Sequence, residues 1–467
     1  MSAVNAKLRT TQTAGDSPAT TGLRRAGPAA PSAAPEQLPL LASPGLEPSA
    51  AHARPRIALS GDERLQASVS SGSHLRMRDA PRSGISLQVH ADLEEIGTTW
   101  RAFEQQADHT VFQSFDWLAH WQRHVGNLRG TLPAIVTGRE ADGGLLFILQ
   151  LAIETGGLAR RLVWLGSALC DYNAPLIARS FGAHVSAERF LLAWREAIAL
   201  LQSERRLRFD LVDLEKMPEQ IGEQRNPFID LAVRKHPSGA YVADLPRDWE
   251  TLYAAKRSSA TRKRERRQLR ALADHGALGF VDVQDAGERA RTIATLLEQK
   301  SRVFARMGVV NPFLSAGHRE FYLAAARDPA LRDLVHISRL DVGSEIAAAS
   351  VGLTFRSCYY LILSSYDGGE IARLGPGRAH LHELMRYAIA RQFTRFDFTV
   401  GDEPYKRDWA DSELALHDHV AAVTARGAAA AAAIAVFRRA KRAIKQSPGL
   451  WQAFCQARAL ARWHRAR

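Results

Sequence analysis

Cys358-Tyr-Tyr-Leu-Ile-Leu-Ser-Ser-Tyr-Asp367 is followed by Arg373-Leu-Gly-Pro-Gly377, a helical pattern, Arg395-Phe-Asp-Phe-Thr-Val400 and Gly401-Asp-Glu-Pro-Tyr-Lys406. Strand, glycine turn, helix, strand and polar loop succeed one another with almost no spacer. That order builds an anion-holding βαβ-type site. Glycines let the backbone approach a ligand, and a helix start offers free N–H groups. Asp397 stands between Phe396 and Phe398. Side chains alternate along a strand, so if the two phenylalanines face the core, Asp397 faces a cleft. There it can accept a proton or orient Lys406; the alternative is a strand-end carboxylate paired with Arg395. Lys406 could bind an anionic substrate group or pair with Asp402 or Asp408.

Working outward, residues 241–425 form one α/β unit and 85–240 another, each reading as strand, helices, strands, helix, strand. Trp249 to Leu272 reads as one helix, with eight basic residues between Lys256 and Arg270. Ala286 to Met307 reads as a helix carrying Lys300 and Arg302, and His417 to Thr424 as a last strand. In the first unit, Phe112 onward reads as a helix with Ser114 as N-cap. Asp171-Tyr172 either reaches a cleft between the units or makes a buried aromatic corner. The expectation is two similar α/β domains packed as a pseudo-duplicate.

Residues 1–84 are rich in Ala, Pro, Ser, Gly and Thr and too poor in apolar surface to offset chain entropy, so disorder is expected; Met77 is an alternative start. The 467 residues carry a net charge of +13, much of it in 426–467, where ten Lys/Arg meet no Asp/Glu. Within that basic helical tail, Ile434, Phe437 and Ile444 lie along one face. It reads as a basic amphipathic helix that makes a peripheral membrane contact or grips nucleic acid; the alternative is a solvated helix that binds nothing. Three scattered cysteines argue against a disulfide framework, and no Cys/His cluster has zinc spacing, so no metal is expected. No apolar run reaches the ~18 residues of a spanning helix and no signal segment is visible, which suits the cytoplasm or the inner face of the membrane.

Tyr366-Asp367, Pro376-Gly377, Asp397 and Gly401-Asp-Glu-x-Tyr-Lys406 together resemble the GNAT-superfamily acyltransferases of the CelD-like/BioF2-like kind. These are distantly similar to the FemABX aminoacyltransferases, and the resemblance covers most of residues 85–425. It implies an α/β (α+β) fold of tandem GNAT-like domains, each a mixed, mostly antiparallel sheet flanked by helices, with catalysis in the second. It also implies acetyl-CoA or another acyl-CoA as co-substrate. Its phosphates would meet Arg373, Gly375, Pro376, Gly377 and Arg378. Asp397 and Glu403 would serve as bases and Tyr405 as an acid, while Lys406, Tyr366, Asp171 and Tyr172 would line the substrate. The usual Gln/Arg of the phosphate loop is Leu374 here, with Arg373 one place early, so an aminoacyl-tRNA donor stands as an alternative. The implied acceptor is a small molecule or saccharide in polysaccharide or cell-envelope biosynthesis; a nucleic-acid partner is disfavoured. A non-catalytic envelope scaffold is the third reading.

Overall fold

The computed structural model describes residues 75–76, 82–307, 310–315 and 317–446. Met77, most of the 1–84 extension and the end of the basic tail lie outside the described residues. In chain order the first half holds β1 (Ser86–His90), α1 (Leu93–Glu104), α2 (Phe115–Trp121), β2 (Leu132–Arg139) and β3 (Leu145–Glu154). It continues with β4 (Arg161–Trp164), α3 (Ala187–Ser203), β5 (Leu211–Pro218) and β6 (Val233–Lys235). The second half opens with β7 (Ala240–Asp244), α4 (Trp249–Lys256), α5 (Ser259–Ala273), β8 (Leu278–Asp282), α6 (Ala286–Met307) and α7 (His318–Ala325). Then come β9 (Val335–Val342), β10 (Glu345–Phe355), β11 (Cys358–Tyr366), α8 (Pro376–Ala390) and β12 (Arg395–Val400). The described residues end with α9 (Pro404–Trp409), β13 (Ser412–Leu414), β14 (Leu416–Ala422) and α10 (Ala425–Gln446).

Two mixed sheets result, both flanked by helices, as the expected fold class requires. The first runs β1-β2-β3-β4-β5-β14-β6, and the second β8-β9-β10-β11-β12-β7-β13. Every pairing is antiparallel except one in each sheet, β4 with β5 and β11 with β12. A parallel pair needs a crossover, and α3 and α8 supply it. β3 is buried along nearly its whole length because cores lie on both its faces. One core packs α3 on the first sheet, and another packs α8 on the second. A third runs between the sheets, where Trp117 meets Phe321 edge-on at 4.9 Å. Burying an aromatic side chain there contributes roughly 2–3 kcal/mol.

Three local readings are corrected. The basic helix is two helices. Arg257 takes an extended conformation, and the Ser258 side chain accepts a hydrogen bond from the Thr261 N–H, restarting the helix as α5. Ser114 precedes α2 without capping it, because its hydroxyl donates back to the Val111 carbonyl at 2.9 Å. β14, read from sequence as the last strand of the second unit, hydrogen-bonds to β5, inside the first sheet.

The described part of the tail, α10, packs on that same sheet. Ile434 is buried against Ala159 and Leu211, whereas Phe437 of the expected apolar face is half exposed. Arg438 pairs with Asp213 at 2.7 Å, with Glu215, and more distantly with Asp418 at 3.8 Å. Asp213 is almost wholly buried, and Arg161 at 3.1 Å is its other cation. Arg438→Ala should therefore destabilise the fold, by less than the ~3 kcal/mol of a fully stranded buried carboxylate because Arg161 stays paired with Asp213. Urea unfolding will read this loss.

Candidate active site

β11 and β12 begin side by side and then part. Their pairing stops after Cys358–Arg395, Tyr359–Phe396 and Tyr360–Asp397, although β11 continues to Tyr366 and β12 to Val400. A bulge in β11, opposite Val351 and Gly352, accompanies a change of face: Leu361 joins the α8 core and Leu363 the core between the sheets. Thr399, at φ 58°, bends β12 while its hydroxyl still donates to the Leu361 carbonyl at 3.2 Å. A V-shaped opening is left between the strands. The first sheet's parallel pair is shorter still, spanning Arg161–Leu211 and Leu162–Val212. Near it the Lys216 ammonium donates to the Ser167 carbonyl at 2.7 Å and to that of Cys170, pinning the connecting loop.

Phe396 and Phe398 lie in the α8 core, so Asp397 projects from the opposite face, toward the first sheet. It meets Tyr172 there. The Tyr172 hydroxyl donates to Asp397 Oδ1 at 2.7 Å and Oδ2 at 2.9 Å, and the Thr399 N–H donates to Oδ1 at 2.7 Å. Burial raises the Asp397 carboxyl to about 7, with the two hydrogen bonds pulling the other way. Arg395, the alternative partner, points instead toward Asp244 at 3.9 Å.

At the end of β12, Glu403 and Lys406 stand three residues apart at the start of α9, with Glu403 Oε2 3.0 Å from Lys406 Nζ. Lys406 also donates to the Val400 carbonyl at 2.9 Å, and both residues are buried. Asp402 is taken by Ser238 and Asp408 by Arg257, so neither is the partner of Lys406. Gly401, at φ 151°, passes directly beneath the pair; a Cβ there would sit 2.6 Å from Lys406 Nζ. Tyr405 lies on the α8 side, 6.1 Å from Phe398, and burial raises its phenol well above the usual range. Asp171 faces the same cluster. Burial raises its carboxyl against the pull of Lys216, Thr399 and Lys406.

Lys300 joins this group from α6, which sequence reasoning passed over as a site. It is buried, its ammonium lowered to about 8 by that burial, within the fields of Glu403 and Lys406. The signal was present in the sequence: Ile293, Leu296, Leu297, Lys300 and Phe304 form one helical stripe, and a lysine stands in its apolar face.

On the other side, Gly375 adopts φ 73° and Pro376 opens α8, whose start has no side-chain cap. At Gly377 a Cβ would press on Tyr366 at 2.8 Å, so glycine is what lets β11 and the helix start meet. Arg373 is exposed, and Arg378 donates to Gln268 of α5 at 2.7 Å. A groove lined by Trp249, Arg266, Gln268, Gly375, Arg378 and His382 opens beside this start. An uncapped helix start flanked by two arginines, next to parted strands, fits the phosphates and extended arm of an acyl-CoA. Among the described residues no group of three or more His, Cys, Asp or Glu could hold a metal ion, and no helix is long and apolar enough to cross a membrane.

No curated protein matches the chain. Among solved structures, FemX is similar over 71% of this chain and 96% of its own, at 10% identity and TM-score 0.49. The C-terminal domain of a putative lysylphosphatidylglycerol synthetase from Agrobacterium fabrum covers 74% of this chain and 97% of its own, at 11% identity and TM-score 0.43. A tandem GNAT protein from the clavulanic acid biosynthesis pathway covers 72% of this chain and 98% of its own, at 12% identity and TM-score 0.41. Residues 259–407, which run from α5 into α9 and contain β11, α8 and β12, match the model of the acetyltransferase (GNAT) domain family.

Proposed function

We propose that the protein transfers an acyl group, acetyl in the simplest case, from acyl-CoA to an amine or hydroxyl acceptor. The observation that carries this reading is the opening between β11 and β12, with Asp397 on one side of it and the uncapped start of α8 on the other. Acyl-CoA would supply the activated thioester. Arg373, Arg378 and the first-turn N–H groups of α8 would hold its phosphates. The acceptor would enter from the side of Asp171 and Tyr172, between the two sheets. Asp397, raised to about 7, takes the proton that the acceptor gives up. Glu403 is committed to Lys406, and this pair sets the shape and charge of the acceptor side. Tyr405 keeps its proton at neutral pH, as the acid that protonates the leaving CoA thiolate must, although burial raises its phenol and makes it a weak acid. The acceptor class, a saccharide or cell-envelope component, is proposed on the resemblance to CelD-like acetyltransferases.

Calorimetry with acetyl-CoA and longer acyl-CoAs tests the donor. Binding is expected, weakened at least tenfold, or about 1.4 kcal/mol, by Gly377→Val, which forces Tyr366 off the helix start. Absence of binding to every acyl-CoA would sink the reading. Salt-sensitive binding of aminoacyl-tRNA in its place would move the donor assignment to the exposed basic face of α5.

A further inference from the structure

Every buried lysine on the acceptor side is accounted for by its acceptors except one. Lys216 is held by two carbonyls, and Lys406 by a carbonyl and Glu403. Lys300 is about as buried as either, at 5% exposure, and meets no hydrogen-bond acceptor or ion-pair partner among the described residues. An ammonium held largely out of water with no protein acceptor is costly. Simple packing does not account for it, since methionine would fill the same volume on the α6 stripe without that cost. α6 packs on β10 and β11, whereas Glu403 and Lys406, whose charges Lys300 feels, stand past the end of β12. Lys300 therefore reaches toward the side on which the two strands have parted. Ser365, on the α6 face of β11, adds a buried hydroxyl that likewise meets no partner. A cation with no protein acceptor among the described residues and a buried hydroxyl that meets no partner share the α6 side of the opening.

We propose that Lys300 is the docking point for an anionic oxygen group, a carboxylate or a phosphate, carried by the acceptor. The acceptor is then bifunctional, its nucleophile toward Asp397 and its anion on Lys300, with the Ser365 hydroxyl as a second donor. The Glu403–Lys406 pair limits the site to one anion, because its own charges already balance. The acyl-transfer reading enters only in calling this ligand the acceptor; the anion site stands on the residues themselves.

The test uses the full chain carrying lysine labelled with ¹³C at Cε, the Lys300 resonance being assigned by its absence in Lys300→Arg. Sodium acetate and sodium phosphate are titrated separately, with sodium chloride at equal ionic strength as the control. Acetate or phosphate should move the Lys300 midpoint upward from about 8 in a saturable way and raise Tm. Lys300→Met should fold at least as stably as the wild type and lose the anion-dependent rise in Tm, whereas Lys300→Arg should keep it. A response to acetate alone identifies a carboxylate, and to phosphate alone a phosphate. No response to either, or an equal rise in Tm in Lys300→Met, overturns the proposal. Because neither probe involves acyl-CoA, failure of the donor to bind in calorimetry leaves this result independent, and the reverse also holds.

Discussion

Alanine at Gly401 is expected to abolish acyl transfer and to cost about 3–4 kcal/mol of stability. Two effects add. The backbone there has φ 151°, which L side chains rarely adopt, and holding alanine in such a conformation costs roughly 1 kcal/mol or more. The new methyl would also enter the space of the Glu403 carboxylate and lie 2.6 Å from Lys406 Nζ. The pair has no room to retreat, being buried between β12 and the first turn of α9, so it must separate. Breaking a buried ion pair costs about 3 kcal/mol or more. Urea midpoints and the rate of acyl transfer measure the two losses. Gly375→Ala is the control: its φ of 73° is also strained, but the nearest atoms to its Cβ belong to the flexible end of Arg378. Only the strain, roughly 1 kcal/mol, should appear there. Equal losses in both variants would show that backbone strain, not the ion pair, explains the Gly401 result.

Asp397→Asn should behave in the opposite way, losing activity while keeping the fold. Both the Tyr172 hydroxyl and the Thr399 N–H donate to Oδ1 at 2.7 Å, so an asparagine carbonyl in that place keeps both hydrogen bonds. What is lost is the proton acceptor, typically worth 10²–10⁴ in rate. Stability should hold or rise, since a buried charge has gone. The pH dependence gives an independent check. Folding raises this carboxyl from 3.8 to about 7, so between those values the folded chain binds more protons than the unfolded one. Its stabilising contribution is thus complete below about pH 4 and is lost as pH rises through 7, an effect on the order of 4 kcal/mol. Asp397→Asn should flatten that part of the stability profile. A variant that unfolds, or that keeps full activity, would remove Asp397 from the proton-accepting role.

Much of this site was legible from local pattern. Alternation around Asp397 showed that it would face away from Phe396 and Phe398, because a strand offers only two faces. The glycine turn and Pro376 marked the start of α8, since few residues other than glycine take φ 73° and proline is suited to the first helical turn. Local pattern failed where a short-range hydrogen bond or a distant strand decided the outcome. The Ser258 cap divided the basic helix, which continuous helical propensity across Arg257 had hidden. β14 crossed into the first sheet because its partner, β5, lies two hundred residues away in sequence.

By itself the sequence determined the strand–turn–helix–strand order of the second half and the side on which Asp397 emerges. Each follows from periodicity or from backbone freedoms that hold within a few residues. Only the tertiary structure decided that Tyr172 meets Asp397, that Lys406 takes Glu403 over Asp402 and Asp408, and that Arg438 binds the tail helix to the first sheet. It also decided that Lys300 of α6 is buried with no acceptor among the described residues. An ionisable group's partner is set by which charges burial brings together, and burial depends on contacts between distant parts of the chain.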